Sequence, residues 1–252
     1  MCGRYVITST PEAIRQLFGY AEQPNFPARY NIAPTQPIPI VRLVEGKRQF
    51  ALVRWGLIPA WVKDPRAFSL LINARGESVN DKPAFRNAMK RRRCLLPADG
   101  FYEWQRTGDR KRPFFAGPKK GGPIAFAGLW ETWTGPNGEE QETAAIVTTA
   151  ANRTCAPIHD RMPVILAPEA YDLWLDCANV DAKTAAALIT PAPDNLLELR
   201  EVSSAVNRVA NDSPMLLVPA SELPPEPEKP PEEKKPAKSR RKEKDTGQAE
   251  LF

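Results

Sequence analysis

Short apolar runs bounded by turn residues recur along this chain, and a helical period shows in only a few short stretches. The first such stretch follows Thr10. Ile14, Leu17 and Phe18 recur at helical spacing, Thr10 is a good N-cap, Pro11 suits the first helical position, and Gly19 suits the stop. After it the sequence turns to strands. "PIPIVRLVEGKRQFALVRWGLI" reads as two apolar runs about a Glu-Gly turn, and "GPIAFAGLWETWTGPNGEEQETAAIVTTAA" as two more about Gly-Pro-Asn-Gly. Further helices are predicted around "PAFRNAMKRR", after Pro168 in "PEAYDLWLD", and in "DAKTAAALI". Strands outnumber helices and no long helical crossover separates successive strands. The expectation is therefore an α+β fold, with an antiparallel, barrel-like β-sheet core and flanking helices.

Composition refines this picture at the C-terminal end. From Pro224 the sequence reads "PPEPEKPPEEKKPAKSRRKEKDTGQAELF": of 29 residues, six are proline, eight are Lys or Arg and seven are Asp or Glu. A segment this poor in apolar groups cannot offset the entropy of ordering it. Residues 1–223 are thus expected to form one catalytic-size domain and residues 224–252 a disordered tail. Net charge is +5 over 252 residues, with +4 falling on the domain, a modest bias towards an anionic partner. No stretch approaches the roughly 20 apolar residues needed to span a bilayer, and "MCGRYVITST" lacks the apolar block of a signal peptide. No membrane role is expected. The four cysteines are widely spread and a single histidine is present, which argues against a structural zinc site and for a reducing, cytoplasmic location. Neither a metal nor a cofactor is expected, and Cys94, Cys155 and Cys177 read as structural.

Chemistry enters at residue 2. If Met1 is removed, Cys2 carries an amine and a thiol two carbons apart, a pair no internal residue has. Elsewhere, polar residues sit at apolar borders: Asn73 in "LLINARGES", Glu103 between aromatics in "LLPADGFYEWQR", and His159, the only histidine, in "APIHDRMPVIL". Taken singly, Asn73 can close a turn, Glu103 can face solvent on an alternating strand, and His159 can be a hydrogen-bonded loop residue. Taken with Cys2 they supply a nucleophile, an amide, a carboxylate and an imidazole, the parts needed for addition to a carbonyl.

"MCGRY", "RYNIAPTQ", "RWGLIPAW", "INARGES", "LLPADGFYEW", "IVTTAA", "PIHDRMPVIL" and "VSSAVN" occur in that order. Together they resemble the SOS response-associated peptidase (SRAP) family of abasic-site processing proteins, over residues 2 to about 220. The resemblance implies that the terminal cysteine cross-links to abasic sites in single-stranded DNA through a thiazolidine, shielding the lesion in the DNA damage response. It also implies autoproteolytic and lyase-like activity. By resemblance, Glu103 holds the amine and moves protons, His159 acts as general acid, and Asn73 positions Cys2 and the sugar. Arg4, Arg75 and Arg161 grip phosphates, and Trp55 and Trp61 are candidates to stack on bases, with core packing the alternative for at least one of them. A monomer in the cytoplasm, associated with the nucleoid, is the corresponding expectation.

The terminal "QAELF" resembles the short peptides bound by bacterial sliding clamps, which makes Gln248, Leu251 and Phe252 candidate clamp-binding residues. Two other functions stay open at this level. An N-terminal-cysteine amidotransferase also begins Met-Cys-Gly, and a non-catalytic module that binds single-stranded DNA needs no terminal amine.

Overall fold

The computed structural model describes residues 2–108 and 110–224. Met1 and the tail from residue 225, including Gln248, Leu251 and Phe252, lie outside them. Thirteen strands and four short α-helices are formed by the described residues. In chain order they are β1 (Tyr5–Ile7), α1 (Pro11–Phe18), β2 (Arg29–Ile32), β3 (Pro37–Val44), β4 (Lys47–Trp55), β5 (Asn73–Arg75) and α2 (Arg86–Arg91). There follow β6 (Arg93–Ala98), β7 (Gly100–Thr107), β8 (Arg110–Pro118), β9 (Ile124–Thr134), β10 (Glu140–Ala150) and β11 (Arg161–Pro163). The chain ends with β12 (Ile165–Leu166), α3 (Tyr171–Leu175), α4 (Ala182–Ala186) and β13 (Leu197–Glu201).

Local signals act as the sequence predicts. The Thr10 side chain accepts from Ala13 N, and Gly19 ends α1 in the left-handed region with φ 68°. Ile14 and Phe18 are buried on the inner face. The β3–β4 turn places both Glu45 and Gly46 at positive φ, the arrangement whose twist matches a two-residue hairpin. The helix expected in "DAKTAAALI" is only five residues long, capped by Asp181, whose side chain accepts from Thr184 N.

The tertiary arrangement is a closed ring beside an open sheet. Strands β10, β4, β3, β6 and β9 pair in succession, and β9 pairs back onto β10, which closes a five-stranded barrel. All ring pairings are antiparallel except β4–β10, and β5 adds to β10 in parallel as well. The interior is packed with side chains. A Cβ on Gly128 would come within 2.0 Å of Leu96 Cδ1 and 2.9 Å of Cys94 Sγ, so only glycine fits that close approach. The second sheet runs β13-β8-β7-β1-β2, and Tyr5 of β1 reaches from it to the barrel, edge-on to Trp55 and Phe126. No described helix is long and apolar enough to cross a membrane.

Burial keeps several thiols neutral. Desolvation, followed by the Glu103 carboxylate, pushes the Cys155 thiol up to about 11. Below the unfolded thiol's value near 8.5 both states are neutral and the contribution to stability is complete. Above it the unfolded chain ionises first, so stability drains as pH rises until the folded thiol follows near 11. The denaturant midpoint is expected to fall between roughly pH 8.5 and 11, and Cys155→Ala to flatten part of that fall. Equilibrium unfolding of both proteins across this range is the check.

Candidate functional site

The site forms where the first residues of the chain meet both sheets. Tyr5 pairs with Phe101 and Val6 with Gly100, and Tyr102 N donates to Arg4 O at 3.0 Å. This antiparallel register brings the residues before Tyr5 alongside Glu103. On the other side, the parallel register of β5 on β10 sets Asn73 opposite Ile146. From there Asn73 Nδ2 donates to Cys2 O at 2.9 Å, across 71 residues of sequence. Asn73 Oδ1 is buried without a hydrogen-bond partner.

Cys2 is fully buried, and its thiol donates to Arg4 O at 3.8 Å. Burial first, and the Glu103 carboxylate second, push that thiol far above its ordinary value. The thiol is therefore neutral across the physiological range. Glu103 is 6% exposed, so the solvent-facing alternative for this strand residue does not hold.

His159 closes a tight loop. Its backbone N–H donates to Cys155 O at 3.1 Å, and Cys155 N donates to Asn152 Oδ1 at 2.9 Å. Arg161 N lies within hydrogen-bond reach of His159 Nδ1, at 2.9 Å, and so fixes the ring's orientation. Asp160 Oδ1 also lies 2.8 Å from Nδ1, so a backbone N–H and a carboxylate oxygen both face that nitrogen. The imidazole lines two grooves at once. One, of about 550 Å³, is shared with Glu103, Trp104, Arg106 and Lys111; the other, of about 780 Å³, with Arg75, Lys82 and Arg161. His159 is common to both grooves, Glu103 lines the smaller, and Cys2 lies buried within electrostatic range of Glu103.

The family profile described as SOS response associated peptidase (SRAP) matches residues 1–209. The chain belongs to that family. Among its relatives, the abasic site processing protein YoqW of Bacillus subtilis is 38% identical over 221 residues, covering 86% of this chain and 99% of its own. YedK of Escherichia coli, also named an abasic site processing protein, is 32% identical over 87% of this chain and all of its own. HMCES of Xenopus tropicalis, named likewise, is 30% identical over 85% of this chain and 77% of its own. A crystal structure of a protein from Bacteroides thetaiotaomicron superimposes with a TM-score of 0.78 at 25% identity, over 87% of this chain and all of that one.

The cationic and aromatic candidates of this SRAP chain separate in the structure. Arg75 is exposed on the larger groove. Arg161 lines the same groove, with its guanidinium paired to Glu77 and donating to Thr148 O at 2.8 Å. Arg4 donates to Asn31 Oδ1 at 2.7 Å and Val206 O at 2.8 Å. Trp61 is 56% exposed and rests edge-on against Phe68. Trp55 needs correction as a base-stacking residue: it is fully buried against Tyr5, and its Nε1 donates to Ile72 O at 3.0 Å, so neither ring face is open to a base.

Sequence reasoning passed over Trp104, which lines the smaller groove, takes Lys111 Nζ over its ring at 4.8 Å, and donates from Nε1 to Asn207. Its place directly after Glu103 on β7 was the available signal. Asn31 was also missed. It is fully buried, and its Nδ2 donates to Val206 O, Arg208 O and Asn211 O, which ties residues 203–212 to the strand beside the site. Among the described residues no cluster of His, Cys, Asp and Glu has the makings of a metal site.

Proposed function

We propose that this chain processes abasic sites in single-stranded DNA by covalent capture. Removal of Met1 leaves Cys2 with a free amine and thiol, and the pair condenses with the aldehyde of the ring-opened abasic sugar to a thiazolidine. The Asn73–Cys2 hydrogen bond carries the reading. It ties the backbone of residue 2 to β5, within electrostatic range of Glu103, in a family whose relatives named above are abasic site processing proteins.

The order of steps follows from the charge states. A terminal amine has a pKa near 7.7–8.0, so roughly a tenth of it is free base at neutral pH, whereas the buried thiol is held neutral. The amine attacks first. Glu103 accepts the proton the ammonium sheds, and the His159 imidazole passes a proton to the sugar oxygen, first opening the ring and then assisting loss of water from the carbinolamine. The sulfur adds to the imine carbon as its proton passes to the nitrogen. One C–N and one C–S bond form, and one water leaves. Arg75, Arg161 and Arg4 line or flank the path of the phosphates, and Trp61 offers an exposed ring to a neighbouring base. An abasic nucleotide has no base to unstack, so drawing it into the site costs less than flipping an intact one.

Intact-mass spectrometry of the protein lacking Met1, incubated with an abasic oligonucleotide, tests this. The expected product is a one-to-one adduct lighter than the sum of its parts by one water. Glu103→Gln is expected to slow its formation by about 10²- to 10⁴-fold. Unmodified protein that releases ammonia from glutamine would instead establish the amidotransferase alternative and overturn the proposal.

A further inference from the structure

Arg86 and Lys90 share one face of α2, and Lys82 stands at the turn that leads into it. Arg86 N donates to Lys82 O at 2.9 Å, Met89 N to Phe85 O at 2.8 Å and Arg92 N to Ala88 O at 2.7 Å. Residues four apart in such a run stack on one side. The opposite face, Phe85, Ala88 and Met89, is buried in the core. All three cations are exposed, and none joins an ion pair among the described residues, whereas Arg42, Arg48, Arg92 and Arg112 are each matched to a carboxylate.

This stripe connects two depressions. Lys82 lines the groove that holds His159 and Arg161. Lys90 lines a separate groove of about 660 Å³, together with Lys183 of α4 and the amides Asn80 and Asn179. The turn between them is a shared wall. Ser78 and Lys82 face the active-site groove, and Asn80 faces the other. At 1.5 Å per residue, Arg86 and Lys90 stand about 6 Å apart along the axis of α2, with Lys82 beyond its N-terminal end. One carboxylate, Asp181, also lines the second groove, where it accepts from Thr184 N and caps α4.

We propose that the stripe and the second groove continue the nucleic-acid path, holding phosphates of the single strand that flanks the abasic site. This rests on the abasic-site reading above. A compact anion is held by cations that converge on one point; these stand in a line, which suits a polymer with a charge on every repeat. Amide and ammonium donors contact phosphate without reading bases, so the added affinity is independent of flanking sequence and dependent on salt.

The test uses the full chain with Met1 removed and oligonucleotides carrying a central abasic site, with flanks long on both sides, trimmed on either side, or trimmed on both. On the long oligonucleotide, the triple variant Arg86→Ser, Lys90→Ser, Lys183→Ser is expected to bind about tenfold more weakly than wild type at low salt. The slope of log affinity against log salt should be shallower by about 2, near 0.7 for each of three phosphates. Both proteins should cross-link the short oligonucleotide equally, and trimming one flank but not the other should reproduce the loss in wild type. An unchanged slope on the long oligonucleotide, or an equal loss on long and short, would overturn the proposal. If wild type cross-links no abasic oligonucleotide, the functional reading falls on its own. Flank-dependent binding of intact single strands would then still decide for or against the track.

Discussion

Replacing Cys2 by alanine is expected to abolish the denaturation-resistant adduct with abasic DNA while leaving reversible binding in place. Alanine keeps the terminal amine, so an imine can still form, but no sulfur is present to close the ring and the imine hydrolyses. Reduction with borohydride should trap that imine in Cys2→Ala, and without reductant a denaturing gel should show no shifted band. Cys2→Ser is expected to behave almost identically, because a hydroxyl is a poorer nucleophile than a thiol toward an imine carbon. Protein that retains Met1 should yield no denaturation-resistant adduct without reductant, since the nitrogen of Cys2 is then an amide and the Met1 amine has no thiol two carbons away to close the ring. The Asn73 bond is to the backbone carbonyl of residue 2, so none of these side-chain changes disturbs the seat, and reversible affinity should stay within about twofold, the few tenths of a kcal/mol typical of a change that breaks no stabilising contact. A stable band from Cys2→Ala without reductant would sink the mechanism.

The second large effect lies away from the site. Arg93 is 1% exposed; it donates to Trp174 O at 2.5 Å, Met89 O at 2.8 Å, Asp176 O at 2.9 Å and Val180 O at 2.8 Å. One guanidinium thereby satisfies carbonyls from the end of α2, the end of α3 and the segment leading to α4. Arg93→Ala strands all four, each buried acceptor costing about 1–3 kcal/mol. With partial relaxation and water entry, a loss of about 3–5 kcal/mol is expected. At about 2–4 °C per kcal/mol for a domain of this size, the melting temperature should drop by about 10 °C. Arg93→Lys should fall between, because an ammonium reaches fewer of the four acceptors and lacks the planar fork. Thermal melts of the three proteins are the check, and an unchanged midpoint for Arg93→Ala would show that the carbonyls find other partners.

How much of this was legible depended on whether the governing interaction was local. Thr10, Pro11 and Gly19 delimit α1 because caps act within a turn, and Glu45–Gly46 sets the β3–β4 hairpin because a two-residue turn fixes its own twist. The α+β class followed from counting such elements. A barrel-like core was expected too, but not which strands meet to close it. Both parallel pairings join β10 to strands far back in the chain, and no nearby residue signals a partner that distant. In the site, residue types at apolar borders and the resemblance singled out Asn73, Glu103 and His159, but not what each would touch. "RWGLIPAW" holds two tryptophans six residues apart with opposite fates: Trp55 ends a barrel strand with its ring inside, and Trp61 lies on the loop beyond it. Periodicity ends at the strand's last residue, and so did the inference. The pairing of Arg161 with Glu77 spans 84 residues and was invisible for the same reason.

The bond from Arg4 to Val206 O spans 202 residues, and this has a consequence for the order in which contacts form. During synthesis Arg4 leaves the ribosome long before Val206 has been added, and Asn31 must likewise await Asn211. The neighbourhood of the first strand therefore gains its full set of partners only after residue 211 has been added.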